Sequence, residues 1–224
     1  MRPDPTILAF DTSGPHCAAS LLRNDAIEQE TQVEMSRGQA EALMPMLDAT
    51  LISANTNWSD LDAIAVGVGP GNFTGIRISV SCARGLALSL GIPAIGVSMF
   101  EVMAFQNDTN SCLVSLPAQK DQAYVLSYRS GIPDEDAQLI SPSAPPSDLQ
   151  MSLGMKVLGY QAELIGQAFD CTTEDRALEN IPRRIALIAA QKLKNGSEIS
   201  RPSPLYVRPA DAAPPSDPPP VILP

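Results

Sequence analysis

The stretch Gly69-Pro-Gly-Asn-Phe-Thr-Gly75 lies between a short apolar run and a long amphipathic one. The run before it, Ala63-Ile-Ala-Val-Gly67, is typical of a fully buried strand. Residues 73–90 carry apolar side chains at spacings of three and four, which predicts a helix. The glycines and proline between them predict a tight turn. A strand, a glycine turn and a helix in this order indicate an α/β fold.

The glycine turn has two interpretations. A turn that follows a strand and opens a helix can hold an anion with its backbone N–H groups. However, it lacks the Lys-Ser/Thr pair of a P-loop, and Asn72 breaks the Gly-x-Gly-x-x-Gly spacing that would start at Gly67. The other interpretation is a turn that lets two backbones pack closely, and both stay open. The candidate anion-binding residues here are Gly69, Gly71, Asn72, Thr74 and Gly75.

A second candidate site follows the first predicted strand. Asp11, Thr12 and Ser13 offer a carboxylate and two hydroxyls, which can position a metal-bound phosphate. The same residue types are ordinary in turns, where they hydrogen-bond to nearby backbone. His16 is the single histidine, which excludes a two-histidine metal site, and we interpret it as a turn residue.

The remaining pattern predicts two similar halves. In the first, strands are expected at 6–11, 17–22 and 27–33, a helix at 36–54 with Ser36 as N-cap and a kink at Pro45, and a strand at 94–97 after the 73–90 helix. In the second, strands are expected at 112–116, 123–128, 137–141 and 156–159, with helices near 148–153 and at 182–194. Both halves give the order βββαβα. The predicted domains are therefore an N-terminal lobe, 1–100, a smaller C-terminal lobe, 101–200, and a proline-rich, extended or disordered tail, 201–224.

Composition limits the function. The formal net charge of −10 opposes independent binding to nucleic acid, which depends on neutralising phosphates. No apolar run approaches the roughly 20 residues that span a bilayer, and no signal peptide is recognised. The four cysteines form no Cys-x-x-Cys pair, which favours buried free thiols in a reducing cytoplasm.

The predicted helix 73–90 has two stripes. One carries Ile76 and Val80 and is expected in the core, while the other carries Arg77, Arg84 and Leu88. The two arginines are the only charged residues between Asp62 and Glu101, so they are candidates for pairing with carboxylates of a partner chain. The alternative is two solvated arginines.

Several segments resemble the TsaB (YeaZ-like) family of bacterial proteins that act in tRNA threonylcarbamoyladenosine formation. They are Ile7-Leu-Ala-Phe-Asp-Thr-Ser13, Gly69-Pro-Gly-Asn-Phe-Thr-Gly-Ile-Arg77, Ala83-Arg-Gly-Leu-Ala87, Gly91-Ile-Pro-Ala-Ile-Gly-Val-Ser98 and Pro204-Leu-Tyr-Val-Arg-Pro-Ala-Asp211. The resemblance implies an actin-like ATPase fold (sugar kinase, Hsp70 and actin) of two βββαβα lobes with mixed sheets.

The resemblance also implies a role without catalysis by this chain. It predicts a scaffold that pairs with the catalytic paralogue TsaD and works with TsaE and TsaC on adenosine 37 of tRNAs reading ANN codons. tRNA is then reached only through the complex. No catalytic residue, metal site or required cofactor is expected, although weak binding of ATP and Mg²⁺ at Asp11 and the glycine turn stays open. The alternative function is a nucleotide-dependent ATPase or kinase of the same fold.

In the family, the two helices of the first lobe pack against those of TsaD or of a second TsaB copy, so a homodimer is also open. The resemblance places the partner interface on these helices, with the candidates Gln39, Leu43, Met46, Leu47, Phe73, Ile76, Arg77, Val80 and Arg84. Two family segments are altered. Leu116-Pro-Ala-Gln-Lys120 lacks the acid of an Asp-Ala-Arg-like segment, and Leu158-Gly-Tyr-Gln161 replaces a Gly-Asp-Gly-like turn.

Overall fold

The computed structural model describes residues 4–207 except 108, 110, 134, 135, 148, 150, 152 and 153. The first half contains β1 (Ile7–Asp11), β2 (His16–Arg23), β3 (Ala26–Glu34), α1 (Gln39–Ser53), a 3₁₀ turn (Trp58–Asp60), β4 (Ala63–Gly67), α2 (Phe73–Leu90), β5 (Ala94–Val97) and α3 (Met99–Ala104). The second contains β6 (Ser111–Pro117), β7 (Ala123–Arg129), β8 (Ile132–Pro133), β9 (Gln138–Ile140), β10 (Lys156–Gly159), α4 (Ala162–Phe169), β11 (Thr172–Asp175) and α5 (Ile181–Lys194). None of the helices in these ranges is long and apolar enough to cross a membrane.

The strands form two mixed sheets, as predicted. The first has the order β3-β2-β1-β4-β5, antiparallel from β3 to β1 and parallel from β1 to β5. The second has the order β11-β10-β6-β7-β8, with β9 also paired to β7; it is parallel from β11 to β6 and antiparallel beyond. Each sheet thus combines antiparallel strands with parallel strands that need longer crossover connections.

Successive side chains of a strand point to opposite faces of the sheet, and this produces the layers. On β1, Leu8 and Phe10 face α1 and α2, while Ile7 and Ala9 face the opposite side, where they share a core with residues of α3 and α5. Val114 of β6 belongs to this same central core. The order of layers is α1 and α2, first sheet, α3 and α5, second sheet, then α4. Consequently α1 and α2 have one face on the sheet and the other outward.

Most predicted elements of the first half are confirmed, and those at 63–67, 73–90 and 94–97 have the predicted bounds. The N-cap at Ser36 was wrong: α1 begins at Gln39, after Gly38 in a left-handed conformation with φ of 89°. The helix continues through Pro45. The pattern also missed α3, which extends the first half beyond βββαβα.

In the second half the pattern missed β8, α4 and β11. The helix predicted at 148–153 falls largely outside the described residues; the two described ones, Leu149 and Met151, are not helical. The division at residues 100 and 200 stays a prediction, although α5 of the second half packs against strands of the first sheet. Of the predicted tail, residues 201–207 have no regular secondary structure but pack against the first half, and 208–224 lie outside the described residues.

All four cysteines are free, as predicted, but only Cys17 and Cys112 are buried, whereas Cys82 and Cys171 are partly exposed. Burial raises the pKa of the Cys82 thiol to about 11, so at neutral pH the thiol stays protonated. Because the thiolate is the reactive form, we expect slow alkylation of Cys82 by iodoacetamide at pH 7.5, rising about tenfold per pH unit up to pH 9.5. Mass spectrometry of the labelled peptide measures this. Glutathione labelled in parallel is the control, and a Cys82 rate that levels off near pH 8.5, as glutathione does, would contradict it.

Candidate functional site

The glycine turn packs directly on the turn that follows β1. The amide of Asn72 donates to the carbonyl oxygen of Ser13 at 2.7 Å, and the Thr12 hydroxyl donates to the Gly75 carbonyl oxygen at 2.7 Å. A Cβ at Gly75 would lie 1.9 Å from the carbonyl oxygen of Thr12, and one at Gly71 would lie 2.4 Å from that of Ser13. Both glycines are therefore needed for a close approach of two backbones.

The turn also begins α2. The side chain of Asn72 caps the helix by accepting a hydrogen bond from the amide of Gly75 at 2.9 Å. Gly69 has a φ of +93°, which a glycine adopts without strain. Thr74 is exposed in the first turn of the helix. The backbone-packing interpretation thus accounts for the turn, because the amides of Asn72 and Gly75 already have partners.

Asp11 lies beneath this turn and is fully buried. Its Oδ2 accepts from the amide and the hydroxyl of Ser13, both at 2.9 Å, and contacts Nε2 of His16 at 2.8 Å. Its Oδ1 has no hydrogen-bond partner among the described residues and faces Gly67, where a Cβ would lie 1.9 Å away. His16 is not the plain turn residue that we expected, because it begins β2 and covers the carboxylate.

This arrangement does not fit an open site for Mg²⁺ and the phosphates of a nucleotide. The hydroxyl of Thr12, the hydroxyl of Ser13 and one oxygen of Asp11 are used within the chain, and the other oxygen is closed off by Gly67. No group of three or more histidine, cysteine, aspartate or glutamate side chains in the described part of the chain is placed to hold a metal ion.

In the second sheet, the turn between β10 and α4 is likewise held by hydrogen bonds within the chain. The amide of Tyr160 donates to the carbonyl oxygen of Ser115 at 2.9 Å, and the amide of Ala162, at the start of α4, donates to Oδ1 of Asp175 at 2.7 Å. The N-terminus of α4 is thus capped by a side chain from β11. The altered segment 158–161 therefore forms a turn that is held by hydrogen bonds from Tyr160 and the adjoining Ala162 to neighbouring strands.

The structure contradicts the predicted partner interface at four of its nine positions, and the other five stay a prediction. Leu43, Leu47, Ile76 and Val80 are buried in the core between the two helices and the first sheet, so they cannot contact a partner. Their apolar stripe is the one that the sheet covers. Of the other candidates, Phe73 and Arg77 are exposed, and Gln39, Met46 and Arg84 are partly exposed.

The outward face of the helices is unusually apolar. Of eight exposed large apolar side chains among the described residues, four lie on these helices and a fifth, Tyr206, packs on α2. Leu88 is the most exposed, at 85%. Exposed large apolar side chains concentrated on two neighbouring helices are typical of a protein-binding surface. Those on the helices are Met44, Ile52, Phe73 and Leu88.

Within the described residues neither arginine is paired with an acid, and each is held by a contact to residue 202 or 206 while remaining at least partly exposed. Arg77 donates from Nε to the hydroxyl of Tyr206 at 3.0 Å, and its guanidinium carbon lies 4.0 Å from the centre of the Phe73 ring. Arg84 donates from Nε to the carbonyl oxygen of Pro202 at 2.7 Å. Sequence reasoning missed these contacts, although Leu205 and Tyr206 stand out as apolar residues in a segment otherwise rich in proline and serine.

Comparison with protein families matches residues 27–137, just under half of the chain, to the family described as TsaD, tRNA N6-adenosine threonylcarbamoyltransferase. The chain is 32% identical over 127 residues to the Escherichia coli tRNA threonylcarbamoyladenosine biosynthesis protein TsaB, a match covering 55% of this chain and 54% of that protein. It is 34% identical over 143 residues to the Bacillus subtilis protein of the same name, covering 60% of this chain and 62% of the other. The chain thus spans about half to three fifths of these named relatives.

Two further similarities extend over nearly the whole chain. The Mycobacterium tuberculosis protein Rv3421c is 31% identical over 213 residues, which cover 93% of this chain and 94% of that protein. The structure of YeaZ from Pseudomonas aeruginosa superposes with a TM-score of 0.66 at 24% identity, covering 90% of this chain and 99% of the other. The likeness to YeaZ confirms the predicted α/β fold with two mixed sheets, and the chain belongs to the TsaB (YeaZ-like) family.

Proposed function

We propose that this chain is an accessory, non-catalytic subunit in the formation of N6-threonylcarbamoyladenosine at position 37 of tRNAs that read ANN codons. It pairs with TsaD through the outward face of α1 and α2. The observation that carries the proposal is the exposed apolar and arginine-bearing face of these helices. The names of the E. coli and B. subtilis relatives support the pathway.

Similarity to the TsaD family supports the choice of partner. Residues 27–137, which match that family, include both α1 and α2. TsaD is therefore expected to contain two helices equivalent to α1 and α2. Two related helix pairs can then pack face to face as a mixed four-helix interface. A second copy of this chain can occupy the same face, so a homodimer competes with the heterodimer.

The polar groups near the glycine turn are used in hydrogen bonds within the chain, which supports a non-catalytic role. Asp11, the one fully buried carboxylate near the glycine turn, is held by Ser13 and His16, so it is not free to bind a phosphate-bound metal. Catalysis then belongs to TsaD, with TsaE and TsaC as further partners in the pathway. The net charge of −10 makes contact with tRNA dependent on the assembled complex, which would act in the cytoplasm.

Leu88→Glu tests this surface. A buried carboxylate in the interface is costly, so we expect the variant to bind TsaD of the same organism at least about tenfold more weakly than the wild-type chain. Because Leu88 is 85% exposed, the melting temperature of the variant is expected to equal that of the wild-type chain. Light scattering gives the mass of the complex and isothermal titration its affinity.

The matched control is Ile132→Glu, which places the same charge on β8, where the side chain is 67% exposed and distant from α2 in the layer order. It is expected to bind TsaD like the wild-type chain. Absence of any heterodimer at micromolar concentration would reject the proposed function. Equal binding by the Leu88 variant would reject the α2 face as the interface.

A further inference from the structure

The segment 201–206, here called the C-terminal strap, is fixed to the flank of α2. The amide of Leu205 donates to the carbonyl oxygen of Val68 at 2.8 Å, just after β4. Pro202 is buried and lies against Gly96 of β5, where a Cβ would be 3.3 Å from the proline ring. Leu205 packs against the cores on both faces of the first sheet. The strap is therefore bonded to the fold through backbone and apolar contacts.

The strap holds both arginines of α2 in the same manner. Arg84 donates from Nε to the Pro202 carbonyl oxygen, and Arg77 donates from Nε to the Tyr206 hydroxyl. In each case the two terminal nitrogens, Nη1 and Nη2, donate no hydrogen bond to any described residue. These nitrogens form the planar fork that binds a carboxylate with two parallel hydrogen bonds.

Charge around the arginines favours an acidic partner. Within the described residues no carboxylate lies within 4.0 Å of either guanidinium, since neither arginine is in an ion pair there. Phe73 and Tyr206 are stacked at 5.0 Å between ring centres beside Arg77, and both rings are about two fifths exposed. An apolar pair beside one fixed cation, with a second fixed cation about two turns further along α2, is suited to a protein segment that presents acids near an apolar side chain.

We infer that the C-terminal strap is part of the partner-binding surface: it fixes Arg77 and Arg84 so that their terminal nitrogens bind carboxylates of the partner, with the Phe73–Tyr206 stack as the apolar anchor. The inference rests on the proposed function and names the chemistry by which TsaD is recognised. Arginines that are ordered before binding lose less entropy when the complex forms, so the strap raises affinity through this ordering as well as through the ring of Tyr206.

Tyr206→Ala and Tyr206→Phe separate the two contributions of the strap. The alanine variant loses both the stack and the hydroxyl, and we expect it to bind TsaD about tenfold more weakly. The phenylalanine variant keeps the stack and frees only Arg77, so its loss is expected to be about threefold. Tyr206 is about two fifths exposed, so both variants are expected to fold, and circular dichroism of each variant checks this. Titration calorimetry measures the affinities.

Salt dependence tests the arginines. Affinity of the wild-type chain is expected to fall between 50 and 500 mM NaCl, and the double variant Arg77→Gln, Arg84→Gln is expected to bind more weakly with a flatter dependence. Arg183→Gln, at an exposed position of α5, is the control and should retain the wild-type dependence. Hydrogen exchange at Leu205 adds a direct readout, because a strap inside the interface exchanges more slowly in the complex.

The outcomes distinguish the two proposals. If the wild-type chain does not bind TsaD, the proposed function fails and the strap inference fails with it. If the wild-type chain binds, but the Tyr206 and arginine variants bind equally well with the same salt dependence, the strap inference is overturned and the proposed function stands. Faster exchange at Leu205 in the complex would mean that the partner displaces the strap, which also overturns the inference.

Discussion

Gly75→Ala is expected to lower the free energy of unfolding by about 3 kcal/mol, the upper part of the range for overpacking. The new methyl group would lie 1.9 Å from the carbonyl oxygen of Thr12, which is backbone and cannot move aside alone. Relief requires α2 to separate from the end of β1, with loss of the bond from the Thr12 hydroxyl to Gly75. Urea denaturation measured by circular dichroism gives the change.

Gly85→Ala is the matched control, since it makes the same substitution in the same helix. Nothing lies within 4 Å of a Cβ at Gly85, so the alanine should be accommodated. Alanine is the better helix former, and we expect a gain of roughly 0.5–1 kcal/mol. Equal effects of the two substitutions would show that α2 does not pack on the β1 turn as described.

Asp11→Ala is expected to cost about 3 kcal/mol, because it leaves the buried hydroxyl and amide of Ser13 and the ring of His16 without their acceptor. Thermal and urea unfolding measure the loss. Glu30→Ala, at an exposed position of β3, is the control and should change stability by no more than about 0.5 kcal/mol.

The Asp11→Ala variant also distinguishes the scaffold from the nucleotide-dependent enzyme. A ligand that binds the folded state raises stability, by about 2.7 kcal/mol at 100 times its dissociation constant. We expect ATP with Mg²⁺ to leave the melting temperature of the wild-type chain unchanged, because the carboxylate of Asp11 is already enclosed. A clear rise in the wild-type chain that the Asp11 variant lacks would favour the ATPase or kinase.

Local signals explain where prediction from sequence succeeded. β4, α2 and β5 have the predicted bounds, and the structure shows that the features which set them act within a few residues: the apolar run 63–67, the side-chain cap of Asn72 and the left-handed Gly91. α2 ends where Gly91 adopts φ of 69°, a conformation that glycine supplies without a steric penalty. In contrast, α3 is six residues long, too short for helical periodicity to be recognised.

The candidate site was predicted less completely than the fold. Helical periodicity correctly separated the stripe of Ile76 and Val80 from that of Arg77 and Arg84, and it placed the first stripe in the core. The family resemblance led us to include Ile76 and Val80 in the interface, and their burial shows this to be wrong. The sequence also gave no sign that His16 contacts Asp11, since a ring five residues away can point in several directions.

The sequence by itself determined the α/β class, the glycine turn and the apolar stripes, because each depends on the period of a strand or helix or on a local backbone conformation. Only the tertiary structure decided which polar groups have hydrogen-bond partners within the chain and which nitrogens of Arg77 and Arg84 remain available to a partner. Arg77 and Tyr206 are 129 residues apart, and Arg84 and Pro202 are 118 apart. Contacts over such separations are fixed by how the layers pack, and no local pattern encodes them.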